Sequence, residues 1–147
     1  MINSILVAID GSNNSQRALD TAIDLATKYK AKISLVHVVR QMQVPLNPGL
    51  MQEYEAMERQ RQDLLMKAGE QLVTLSKHKA ESKGFKDVDG DITSGDPAAG
   101  IEKIANKNKI DLIVAGRRGL GKESGKDLGS VARKLVNLTD SSCLLVC

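Results

Sequence analysis

Apolar residues follow two rhythms along this chain. Ile5-Leu6-Val7-Ala8-Ile9 is an unbroken run that stops at Asp10-Gly11-Ser12, and Ile33 to Val39 (ISLVHVV) is a second. Runs of this kind predict strands buried on both faces, as in a parallel sheet. Between them Ala18, Leu19, Ala22, Ile23 and Ala26 recur at helical spacing, with Ser12 or Asn13 placed to cap the helix and Lys28 to Lys32 closing it. Gln41 to Gly49 carries prolines and predicts a loop without a regular element. From Met51 the spacing turns helical again. Met57, Leu64, Leu65, Ala68, Leu72 and Leu75 predict the apolar stripe of a long helix whose methionines serve packing. Phe85 to Ser94 alternates weakly and is interrupted by Gly90, which predicts an edge strand. Asp96 as cap and Pro97 at the first position open a helix buried through Ile101, Ile104 and Ala105 and ended by Asn106 to Lys109. Leu112 to Ala115 predicts a central strand, Ser130 to about Leu138 a helix, and Cys143 to Cys147 a last strand.

Strict alternation of strand and helix predicts a single α/β domain over residues 1–147, a doubly wound, Rossmann-like, five-stranded parallel sheet with helices on both faces. Such sheets bind ligands at the carboxyl ends of their strands, where the winding reverses. In the strand order 3-2-1-4-5, Asp10 at the end of the first strand and Gly116 at the end of the fourth share one crevice.

Gly116 opens the segment richest in chemistry. Glycines at 116, 119, 121, 125 and 129 allow positive φ angles and leave no Cβ atoms to hold a ligand away from the backbone. Arg117, Arg118, Lys122 and Lys126 add positive charge, and the helix starting at Ser130 offers unpaired N–H groups. The fitting occupant is a phosphate. Two better-known phosphate loops fail to match. Gly116 to Lys122 has P-loop spacing but continues with Glu123 in place of the magnesium-binding hydroxyl, and Gly119-Leu120-Gly121 lacks the third glycine of a dinucleotide fingerprint at Ser124.

Charge and composition narrow the classes. A net charge of +3 spread along the chain, with Tyr29, Tyr54 and Phe85 as the aromatic residues, argues against reading nucleic-acid sequence. The first apolar run is too short for a signal or membrane segment, so a cytoplasmic location and no membrane contact are expected. Cys143 and Cys147 stand about 13 Å apart on one extended strand, beyond disulfide reach within a chain. His37, inside the second strand without a metal-ligating partner, reads as a core residue and His78 as a solvated one.

Gly116-x2-Gly119-x9-Gly129-Ser130 resembles the nucleotide-binding signature of the universal stress protein family, G-x2-G-x9-G-[S/T]. Asp10-Gly11-Ser12 with Ser15, Ala18 and Leu19, the His37-Val38 strand end, Gly95-Asp96-Pro97 and the DLIVAG strand are similar to that family as well, so the likeness spans the whole chain. The resemblance implies an ATP-binding regulatory module of the stress response, with ATP and Mg2+ as ligand and AMP or ADP as alternatives. It implies that Ala8, Ile9 and Asp10 line the adenosine site, Val38 reads adenine through its backbone, and Ala115 and Gly116 pass beneath the ribose. Arg118 and Gly119 would border the phosphates and Gly129, Ser130 and Val131 bind them, with Asp10 serving the metal indirectly. A homodimer through the strand Cys143 to Cys147 and an unidentified regulated protein are the implied partners. The insert LGKESGKDL is more polar than the family's usual leucine-bearing helix, and Cys143 stands where a proline is common. Alternatives are a slow ATPase, with Glu123 as the loop carboxylate able to orient water, and a family member acting through protein contacts alone. The His-x-Gly-His and Ser-Gly-Gly-x-Asp-Ser signatures of related nucleotidyl transferases are missing.

Overall fold

A computed structural model describes residues 1–43, 47–121 and 127–147. The expectations that rest on Lys122, Glu123, Ser124, Gly125 and Lys126 lie outside the described residues. Strands β1 (Ser4–Ala8), β2 (Lys32–Arg40), β3 (Asp89–Gly95), β4 (Leu112–Gly116) and β5 (Ser142–Val146) form one parallel sheet in the order β3-β2-β1-β4-β5. Helices α1 (Asn13–Tyr29), α2 (Met51–Ser82), α3 (Pro97–Lys107) and α4 (Ser130–Leu138) connect them. The predicted order is therefore the observed one.

Strand alternation divides the core into two layers. Ile5, Val7, Ile33 and Leu35 face α1 and α2, where Ala18, Leu19, Ala22 and Val73 meet them. Leu6, Val36 and Ile113 face α3 and α4 and pack on Ile101, Ala105 and Leu135. With both faces covered, Ile5, Leu6 and Val7 are fully buried, which is why their run shows no polar alternation. Burial of each such side chain stabilises by roughly 1.5–3 kcal/mol. Among the described residues no helix is long and apolar enough to cross a membrane.

Helix ends follow the sequence signals. The Ser12 hydroxyl accepts the Ser15 amide at 3.2 Å to cap α1, and Asp96 accepts the Ala99 amide at 2.9 Å ahead of Pro97. Among the described residues between β2 and α2, Pro48–Leu50 forms a 3-10 turn that the loop reading of Gln41 to Gly49 did not predict.

Two elements correct the sequence reading. The third strand begins at Asp89 and not at Phe85. Gly84, with φ of 99°, and Phe85 close the end of α2 instead: the Phe85 amide reaches back to the Ala80 carbonyl at 3.3 Å and the Gly84 amide to Glu81 at 2.9 Å. Phe85 then packs against the core, so its apolar character belongs to a helix cap.

The second correction concerns the face of α2. Met57, Leu64 and Leu75 are 70%, 69% and 67% exposed, Leu65 and Ala68 are exposed as well, and of the predicted stripe Leu72 packs against the core. The buried line is Gly69, Val73, Ser76 and Ala80. Small residues win because the helix lies close to the sheet. Gly69 sits over the His37 ring and Gly90 of β3 under Val73, and a Cβ on either glycine would collide with that side chain. Gly90 interrupts an edge strand as expected, and its neighbour supplies the reason.

Candidate functional site

A crevice of about 580 Å³ opens at the carboxyl ends of β1, β2 and β4, where the winding of the sheet reverses. Its size suits a small-molecule ligand. A second cavity of about 800 Å³ lies at the opposite ends of the strands, between Lys32, Asp89 and Lys107, away from the reversal. All the residues named from the sequence line the first: Ala8, Ile9 and Asp10, Val38, Ala115 and Gly116, Arg118 and Gly119, and Gly129, Ser130 and Val131.

Register explains the wall formed by β2. Ala8 of β1 pairs with Val36, yet β2 runs on to Arg40, which pairs with Gly95 of β3. The Ile9 amide donates to the Val36 carbonyl at 2.9 Å, so Val36 directs its polar groups toward β1. Two residues further on, Val38 directs its N–H and C=O the same way, past the end of β1 and into the crevice. Its side chain is held from the other side by Gly100 of α3, where a Cβ would stand 3.0 Å from Val38 Cγ2.

Asp10 forms the floor between the two halves. Its Oδ1 accepts the Ser12 amide at 2.9 Å, and its own amide donates to the Ser15 hydroxyl at 3.1 Å. One oxygen thus ties down the turn before α1, as an Asx turn does. The other, Oδ2, points at Gly119, where a Cβ would stand 2.6 Å from it.

Of the two freedoms that glycine allows, positive φ and close approach, these glycines use close approach. Among the described residues the glycines with positive φ are Gly11, Gly84 and Gly95, whereas Gly116, Gly119, Gly121 and Gly129 have none. A Cβ at Gly116 would meet Asn14 Cβ at 2.9 Å and the Arg118 carbonyl at 3.0 Å, so the end of β4 can lie directly against the first turn of α1. At Gly129 a Cβ would meet the Arg117 carbonyl at 3.2 Å. Among the described residues nothing lies within 4 Å of a Cβ at Gly121.

At the far end Gly129 caps α4 without a side-chain bond. The first helical bond runs from the Arg133 amide to the Gly129 carbonyl at 3.0 Å. The amides of Ser130, Val131 and Ala132 precede it and have no partner within the helix, and all three residues line the crevice. With the helix dipole they make a concave, anion-seeking end. Arg117 and Arg118 line it too, Arg118 Nε donating to the Asp127 carbonyl at 2.9 Å and Arg117 Nη1 to Cys147 Sγ at 3.6 Å.

The family model described as Universal stress protein family matches residues 1–146. The chain belongs to the universal stress protein family. Universal stress protein YxiE of Bacillus subtilis (strain 168) is 34% identical over 148 residues, covering 99% of each chain. Among solved universal stress proteins, that of Arabidopsis thaliana with AMP bound superposes with a TM-score of 0.66 at 19% identity, over 98% of this chain and 90% of the other. The solved structure of MJ0577 gives a TM-score of 0.82 at 25% identity, over 99% and 96%. Two further solved universal stress proteins are complexes with cAMP and with dAMP.

Sequence reasoning placed His37 in the core, and its Nδ1 does bond the Ile9 carbonyl at 2.7 Å, yet the residue also borders the crevice. It missed Ser15, Arg40, Pro97 and Ile101 as lining residues. The signal was present for three of them. Arg40 follows Val36 and Val38 at the strand period of two, and Pro97 and Ile101 stand one helical turn apart.

Proposed function

We propose that this chain binds an adenine nucleotide, ATP with Mg2+ or alternatively AMP or ADP, and acts as a nucleotide-dependent regulatory module of the stress response. The observation that carries the reading is one crevice with a backbone donor and acceptor of Val38 directed into it and, at its other end, the amides of Ser130, Val131 and Ala132, which have no partner within the helix. The first pair suits the edge of a purine, and the second suits phosphate oxygens. Solved relatives that carry AMP, cAMP or dAMP support an adenine ligand.

Magnesium is bound in such sites by one or two carboxylates together with phosphate oxygens and water. Asp10 Oδ2, aimed at the phosphate loop, suits that role, directly or through water, while Oδ1 keeps the turn. The metal would offset repulsion between the carboxylate and the triphosphate.

Assembly as a homodimer through β5 belongs to the same reading. Cys143, Leu144, Leu145 and Val146 are partly exposed along a free sheet edge, a surface that proteins cover or pair. Burial raises the pKa of the Cys143 thiol, which disfavours the thiolate that disulfide formation needs. The regulated protein would read the nucleotide state of this dimer.

Mass spectrometry of small molecules released from the purified chain, followed by calorimetry, tests the reading. Retained or titrated adenine nucleotide is expected; no release and no heat with ATP, ADP or AMP would reject it. Hydrolysis slower than about one turnover per minute is expected, far below the 1–100 per second of kinases. A rate near one per second, lost in Glu123→Gln, would make the chain an ATPase.

A further inference from the structure

We infer that the exposed face of α2 is a self-association surface, which docks a second copy of this chain antiparallel through Met57, Leu64, Ala68 and Leu75. These positions lie on one side of the helix, at least two-thirds exposed at Met57, Leu64 and Leu75, while the line from Gly69 to Ala80 faces the sheet. The first eighteen residues of the helix, 51–68, contain no buried residue, so this ridge extends past the part of α2 that the core holds. An apolar ridge of this length on a helix is a place where another surface settles.

The spacing identifies the occupant. The intervals between Met57, Leu64, Ala68 and Leu75 are seven, four and seven residues, the same read from either end. A two-fold axis at Met66 therefore places Met57 against Leu75 of the second copy and Leu64 against its Ala68, a large residue against a small one. The two positions between these layers are Arg61, whose guanidinium is held by Glu58 and the Arg40 carbonyl so that its stem borders the seam, and the exposed Gln71, and the same axis sets them against each other. Isologous pairing demands a surface complementary to itself, and a palindromic seam supplies one. A lipid surface fits less well. Helices that lie on membranes are rich in Lys and Arg, whereas α2 carries six acidic against five basic residues.

This surface is independent of nucleotide binding and lies on the β3 side of the sheet, away from the β5 edge. Light scattering on the full chain tests it. Leu64→Glu, at an exposed position that leaves the fold intact by circular dichroism, is expected to halve the assembly mass relative to the unaltered chain. The same two-fold fall is expected when Leu64→Glu is added to Leu145→Pro, which is directed at the other edge. Cross-linking reads the register: with Cys143 and Cys147 changed to serine, Met57→Cys together with Leu75→Cys should form a covalent dimer under mild oxidant, and neither change should do so alone. An assembly mass unaltered by Leu64→Glu would overturn the inference. So would cross-linking of Met57→Cys alone, which reports parallel pairing, or a face taken up by a different protein's helix with no copy of this chain bound.

Discussion

The Cα of Gly119 and the carboxylate of Asp10 lie so close that a Cβ added to the glycine would stand 2.6 Å from Asp10 Oδ2. Two loops far apart in sequence therefore meet at the crevice. Gly119→Ala should push the carboxylate aside and weaken ATP binding at least tenfold, about 1.4 kcal/mol. Gly121→Ala, whose Cβ meets no described residue within 4 Å, should bind within twofold of the unaltered chain. Calorimetric titration of the pair separates a specific contact from a general intolerance of the loop.

Close packing of α2 gives a stability prediction. Gly90→Ala places a methyl against Val73 Cγ1 in the buried line of the helix, and overpacking of this kind costs about 1–3 kcal/mol. Gly49→Ala, with nothing within 4 Å, should change stability by less than about 0.5 kcal/mol. Urea unfolding followed by circular dichroism measures both.

Acid sensitivity should have a definite sign. The Ala99 amide and then Lys134 hold the Asp96 carboxyl below its ordinary pKa, and the Asn3 and Ser4 amides do so for Asp111. A carboxyl depressed in the folded state contributes stability that is fully present above its unfolded pKa of about 4 and is lost as pH falls through the folded value. Replacing both by Asn should lower the urea midpoint at pH 7, and the gap to the unaltered chain should close on acidification below about pH 4. A gap that widens at low pH would contradict the assignment.

Edge pairing by β5 can be tested at one amide. The Arg117 amide of the loop after β4 donates to the Val146 carbonyl at 2.7 Å, so Val146 faces β4 and, by alternation, Leu145 directs its N–H outward. Leu145→Pro removes that outward donor without taking a bond from β4. It should abolish the β5-mediated dimer while the chain remains folded; sedimentation that still reports β5 pairing would reject this edge as the interface.

The strand order and the crevice were legible because their signals are local and exclusive. Unbroken runs such as Ile5 to Ile9 fit a doubly covered strand, and Asp10 and Gly116 each stop a run where the chain must turn. The inward face of α2 was not legible. Its large apolar residues form the exposed ridge, while its buried contacts are made by Gly69, Val73, Ser76 and Ala80, whose smallness has meaning only once His37 and Gly90 lie beneath them. Phe85 misled for a related reason, since an apolar residue after a helix reads equally well as a strand start or as a cap. Gly116 and Gly129 line the crevice, but the room they leave for Asn14 and for the Arg117 carbonyl depends on tertiary neighbours that spacing does not reveal.

Arg117 joins two surfaces through a single residue. Its amide is held by the Val146 carbonyl of the edge strand, and its carbonyl holds the Gly129 amide at the start of α4. Freeing the Arg117 amide for exchange with solvent requires the edge strand to part from the loop, and freeing the Gly129 amide requires the loop to part from α4. Their exchange rates therefore time the two ends of one mechanical link. If the chain binds nucleotide as proposed, reciprocity requires that whatever occupancy does to the edge, covering the edge does to nucleotide affinity.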